Sequence, residues 1–114
     1  MSTPAAVTWF PRRGDVCRVR LDKNRPALVI SNDAINRYSL DVCVIPITSV
    51  ERRRFSLRVP LQVGEGGLRR LSWAKCDQVT TVEKGLVRYP PLGRLYHPTL
   101  TRIELAVKSA LDLD

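Results

Sequence analysis

Apolar and polar positions along this chain fall into short runs of two periods, which predict a mainly β domain closed by one helix. In "DVCRVRL", Cys17, Val19 and Leu21 alternate with Arg18 and Arg20, the pattern of a strand with one buried and one wet face. "ALVIS", Ala27 to Ser31, is apolar without alternation and partly β-branched, which predicts a central strand covered on both sides. "NDAINRYS" then offers Asn32 or Asp33 as N-cap for a single helical turn. "LDVCVIPITS" returns as a second buried strand. Its Pro46 has no N–H to give a sheet ladder, so the strand is expected to bulge or lose a partner there, turning Ile47, Thr48 and Ser49 elsewhere.

"FSLRVPL" alternates again with Phe55, Leu57, Val59 and Leu61 inward, "GEGG" marks a turn, and "LSWAKCDQV" predicts a fifth strand with Trp73 in the core. The short "GLVRY" and "LGRL" segments add one or two strands around the Pro90-Pro91 corner. Only the last stretch is helical. Pro98 suits a first helical position, and Leu100, Ile103, Val107, Ala110 and Leu111 share one face, while Leu105 points away and is free to meet a partner subunit. With no repeat or linker, residues 1–114 read as one domain, of which 1–11 form a loose N-terminal extension. The fold class is mainly β (α+β), a small SH3-like antiparallel barrel or curled sheet with a C-terminal α-helix.

Composition changes this picture mainly through charge. At 114 residues the chain can bury a core without metal or disulfide staples. Nineteen Lys and Arg against eleven Asp and Glu give +8, a field that attracts polyanions or acidic partners; solubilising charge is the plainer alternative. Cys17, Cys43 and Cys76 are too dispersed for a CxxC pattern and odd in number, so they read as reduced core thiols. No stretch approaches the roughly 20 apolar residues of a membrane span, and no basic leader precedes an apolar run; a cytosolic protein is expected.

Candidate chemistry is sparse. His97 is the single histidine and reads as a helix-start residue; no Asp, Glu and Cys cluster has metal-ligand spacing, no GxSxG accompanies a base, and "GEGG" lacks the Lys and helix of a phosphate loop. What remains is Arg25 before one buried strand, Ser31 and Asn32 after it, and Thr48 and Ser49 after the next. A guanidinium fork suits phosphate oxygens. By spacing alone, the favoured reading is that Arg25 forms a surface salt bridge and Thr48 satisfies backbone at a strand end.

The ordered series "RRGDV", "RPALVISND", "IPITS", "LRVPL", "GEGGL", "CDQVTTVEKGL" and "LGRL", followed by the final helix, resembles the MazF/PemK-type toxins from about Arg12 to the C-terminus. That resemblance implies a PemK-type barrel in a cytosolic homodimer, acting as a metal-independent endoribonuclease on single-stranded RNA, without cofactor, and held inactive by a cognate acidic antitoxin. Arg25 of "RP" and Thr48 of "ITS" match the family's catalytic pair. Ser31, Asn32, Asn36 and Gln78 match positions that line or support its RNA groove, with Ser49 beside Thr48. Arg52, Arg53 and Arg54 form a basic run, and Arg69 and Arg70 another, placed to track phosphates.

One departure stands out. Family members usually carry a longer Gly-rich loop between the first two strands, where this chain has only "DKN", leaving less loop to cover RNA. The implied reaction is attack of a ribose 2′-hydroxyl on the adjacent phosphate, with Arg25 stabilising the phosphorane and Thr48 holding it. Two other readings remain: a protein-binding toxin like the gyrase poisons of related fold, and an RNA-binding module that has lost catalysis.

Overall fold

The computed structural model describes residues 9–51 and 57–113. Phe55 and the Arg52 to Arg54 run lie outside the described residues. Seven strands and two helices follow in the order β1 (Asp15–Arg20), β2 (Asn24–Val29), α1 (Asp33–Tyr38), β3 (Asp41–Thr48), β4 (Arg58–Leu61), β5 (Ser72–Lys75), β6 (Thr80–Glu83), β7 (Gly93–Arg94) and α2 (His97–Ala110). They build one curled antiparallel sheet in the order β4-β5-β3-β2-β1-β7, with β6 also paired to β3.

Strand β3 organises the sheet. One of its edges pairs with β2, and the other pairs first with β6 over Asp41 to Val44 and then with β5 over Ile47 and Thr48. Pro46 falls between those two partners. It does not break the strand; it sits where the ladder changes hands, a place that tolerates a missing donor.

The central strands are covered on both faces, as the unalternating runs require. Val16, Leu28, Ile45, Ile47, Val59, Leu61, Ala74 and Ile103 share one cluster, against which Leu100, Ala106 and Val107 of α2 pack. Cys17, Val19, Ala27, Val29, Val42, Val44, Val82 and Val87 form a second cluster, closed by Trp9 and Leu21. Truncating such a residue as Leu28 to alanine is expected to cost about 2–5 kcal/mol.

Several sequence expectations need correction. β1 is buried at Val16 as well as at Cys17 and Val19, so it is one-faced only toward its end. β2 begins at Asn24, placing Arg25 inside the strand instead of before it. Thr80–Glu83 is a strand that the pattern missed, because Val82 is its one buried residue. "GLVRY" supplies only a 3₁₀ turn at Lys84–Leu86 and a bridge from Val87 to Val19. Trp73 is half-buried on the face of β5 opposite Ser72 and Ala74; the interior positions go to those small residues. On α2 Leu111 is exposed because the helix ends at Ala110, past the edge of the core.

Cys43 is half-buried and not a core thiol, while Cys17 and Cys76 are buried; all three are free. Of the N-terminal segment, Pro11 is fully buried and Trp9 meets Tyr89 edge-on at 5.1 Å.

The "GEGG" turn positions the future site. A Cβ on Gly67, whose φ is +75°, would stand 2.0 Å from the Leu92 carbonyl oxygen, so only glycine lets these segments touch. Leu92 N–H in turn donates to the Val16 carbonyl at 2.7 Å, which ties the turn to β1 and delivers Leu68, Arg69 and Arg70 to one end of the sheet.

Candidate functional site

At the end of the sheet where β2 begins and β3 ends lies a groove of about 460 Å³. Arg25 and Thr48 both line it, one from each strand, although they are 23 positions apart in sequence. Ser49 and Val50 continue the wall from β3, Lys23 lines it from the β1–β2 turn and Asn24 from the start of β2, and Arg18 lines it from β1. Arg69 and Arg70 close the far side. Five of the described lining residues are cations, with Asp22 beside the groove on Arg25, so the field of the lining attracts anions.

Both plain roles considered for the central pair are present. Arg25 donates from Nε to Asp22 Oδ1 at 3.0 Å and from Nη2 to Oδ2 at 3.2 Å, a two-pronged ion pair. The pairing holds the Asp22 carboxyl down to about 2 through the side-chain hydrogen bond from Arg25, and raises Arg25 further above its already high value through the same bond. Thr48 Oγ1 accepts from Val50 N–H at 3.1 Å. Neither role exhausts its side chain. A guanidinium has five N–H donors, and a hydroxyl that accepts one bond still has its proton to donate, so both can also face an anion.

The other predicted residues fall elsewhere. Ser31 and Asn36 are buried at the opposite end of β2. Asn36 Nδ2 donates to the Ser31 carbonyl at 2.9 Å, and Ser31 Oγ bonds Asn36 Oδ1 and accepts from Cys43 N–H. Asn32 Oδ1 accepts from Ile35 N–H at 2.8 Å and caps α1. Gln78 is exposed in the turn after β5, where its N–H meets the Lys75 carbonyl and its own carbonyl accepts from Thr80 Oγ1. None of these four lines the groove with Arg25 and Thr48.

Sequence reasoning missed Arg18, Lys23, Asn24 and Asp22 as parts of this site. Arg18 was legible in principle: the alternation in β1 sets it on the face away from Cys17 and Val19, and its register partner is Pro26, next to Arg25. The two buried thiols offer no rival nucleophile, since burial pushes Cys17 up to about 12 and Cys76 up to about 11, leaving both protonated at neutral pH. Among the described residues no group of three or more His, Cys, Asp or Glu converges as a metal site. No helix among them is long and apolar enough to cross a membrane.

The architecture is thus a small curled antiparallel sheet with a helix packed on its core and a cationic groove at one end. The family model described as the PemK-like, MazF-like toxin of type II toxin-antitoxin systems matches residues 12–111, and the chain belongs to that family. The toxin MazF-mt6 of Mycobacterium tuberculosis has the same fold at a TM-score of 0.79, with 27% identity over 88% of this chain and 98% of that one. An endoribonuclease from a mycobacterial species superposes at 0.77 with 30% identity, covering 90% of this chain and 92% of its own. A MazE–MazF complex from Deinococcus radiodurans shares the fold at 0.78 and 21% identity, over 93% of this chain and 99% of that one. No curated protein sequence matches the chain.

Proposed function

We propose that this chain is the toxin of a type II toxin-antitoxin pair and cleaves single-stranded RNA at the Arg25–Thr48 groove. The observation that carries the reading is the convergence of Arg25 and Thr48, from separate strands, among Arg18, Lys23, Arg69 and Arg70. The cationic walls hold successive phosphates, and the scissile one lies against Arg25 and Thr48. The ribose 2′-oxygen attacks that phosphorus as its proton passes to solvent, the bond to the 5′-oxygen breaks and that oxygen takes up a proton, so that a 2′,3′-cyclic phosphate and a 5′-hydroxyl end remain. No water enters as nucleophile, so orientation carries much of the rate; well-oriented intramolecular attack is worth about 7–11 kcal/mol. Arg25, charged at every working pH, neutralises the phosphorane and stands beside the departing oxygen, while Thr48 donates its hydroxyl proton to a non-bridging oxygen.

The same field suits an acidic antitoxin segment, and one of the similar mycobacterial structures is an endoribonuclease in complex with its cognate antitoxin. Carboxylates of such a segment would lie where phosphates lie and compete with substrate, most strongly at low salt. A homodimer would place two such grooves in one particle.

The test is incubation of the purified chain with single-stranded RNA in EDTA. Cleavage leaving a cyclic phosphate, and its loss when the cleaved nucleotide carries a 2′-deoxy sugar, supports the reading. Intact RNA, or an equal rate on all-DNA substrate, overturns it.

A further inference from the structure

The carboxylate that Arg25 meets, Asp22, belongs to the turn between β1 and β2. Asp22 is largely exposed, with 72% of its side chain in solvent, against 32% for Arg25. Its two oxygens take Nε and Nη2 of Arg25, one each. That is the edge a guanidinium offers to two oxygens of a phosphate, since both anions present a pair of oxygens at matching separation. The turn itself holds Asp22 in place: Oδ1 also accepts from Lys23 N–H at 3.0 Å, and Leu21 N–H donates to the Lys23 carbonyl.

We propose that Asp22 is an internal phosphate mimic, a carboxylate that occupies the phosphate-binding edge of Arg25 in the free protein and must be displaced by the incoming anion. The proposal rests on the reading of Arg25 as the phosphate ligand. Mild acid does not relieve the contact, because the arginine holds the carboxylate ionised down to about 2. An incoming anion thus meets a carboxylate that is ionised at working pH and competes for the same edge of Arg25. The cost is small, as expected of an exposed pair three residues apart, and small enough for a polyanion to meet. The consequence is selectivity: a single weak anion competes poorly with a tethered carboxylate, whereas a strand that also engages Arg18, Arg69 and Arg70 wins through its other contacts.

The experiment is a double-mutant cycle in binding, read by fluorescence anisotropy with a fully 2′-deoxy single-stranded oligonucleotide that cannot be cleaved. The chains are wild type, Asp22→Asn, Arg25→Ala and the double variant, at one fixed salt concentration. Asparagine keeps an oxygen for Lys23 N–H and removes the charge. Asp22→Asn is expected to tighten binding about two- to fivefold, the range an exposed pair corresponds to, and to give no gain when Arg25 is already alanine. A gain that persists without Arg25 means only that one negative charge was removed, and overturns the proposal, as does no gain at all. Because the probe is not cleaved, a cycle of the expected form with no RNA cleavage would sink the ribonuclease reading alone and leave the mimic standing.

Discussion

The two ends of β2 carry similar side chains and do opposite things with them. At the far end Ser31 and Asn36 are buried and spend their polar atoms on each other, on backbone and on Cys43 N–H. At the near end Arg25 and Thr48 are part-exposed, hold one local contact each, and keep donors free toward a groove. Residue type does not separate a structural polar cluster from a binding one. Saturation does: a buried polar group must be satisfied internally, because each orphan costs about 1–3 kcal/mol, whereas a group at a groove can keep capacity for a ligand.

The contrast is broken most sharply at Arg25. Arg25→Ala is expected to lower RNA cleavage by about 100- to 1000-fold, the effect of removing one donor from a developing oxyanion, with the thermal midpoint nearly unchanged. Arg25→Lys keeps the charge, loses the fork, and should recover little of the rate. Near-normal turnover in either variant, measured on a fluorogenic single-stranded RNA, would end the assignment.

Thr48 comes next. Thr48→Val removes a hydroxyl that donates to a charged oxygen and should lower kcat about 10- to 100-fold, in line with the worth of one charge-assisted hydrogen bond. Thr48→Ser should restore most of it. Equal rates for valine and serine would reduce Thr48 to its bond with Val50 N–H.

The far end answers to a different measurement. Asn36→Ala leaves the Ser31 carbonyl without its buried donor and opens a small void, so unfolding stability should fall by about 1–3 kcal/mol while cleavage per folded molecule holds. A variant of full stability but poor RNA binding would instead return Asn36 to the groove.

Much of the fold was legible because its signals are local. The unalternating "ALVIS" run does mark a strand covered on both faces, and Leu100 and Ile103 do set the buried side of α2. Thr80–Glu83 escaped because four residues with one buried apolar side chain carry too little periodicity. Trp73 was misplaced because a strand pattern alone does not say which face is inward, while the register with Thr48 and Pro60 fixes its face. For the site, the Arg25–Thr48 pair was visible by resemblance. That Ser31 and Asn36 close on each other depends on β2 meeting β3 in register, Val29 against Val44, which no local pattern records.

The smallest effect tests the walls. Arg70 lines the groove beside Arg69, after the Gly66-Gly67 turn that folds against Leu92 and β1, with no carboxylate among the described lining residues. If it neutralises one phosphate, Arg70→Ala should weaken single-stranded RNA binding a fewfold and reduce the slope of log affinity against log salt by about 0.7, the value for one contact on a single strand. Its kcat at saturating RNA should be unchanged, because a wall cation binds ground and transition states alike. That pattern, affinity without turnover, separates the cations that hold the strand from Arg25, for which a loss of turnover is expected. A fall in kcat with the salt slope intact would move Arg70 from the wall to the reacting phosphate.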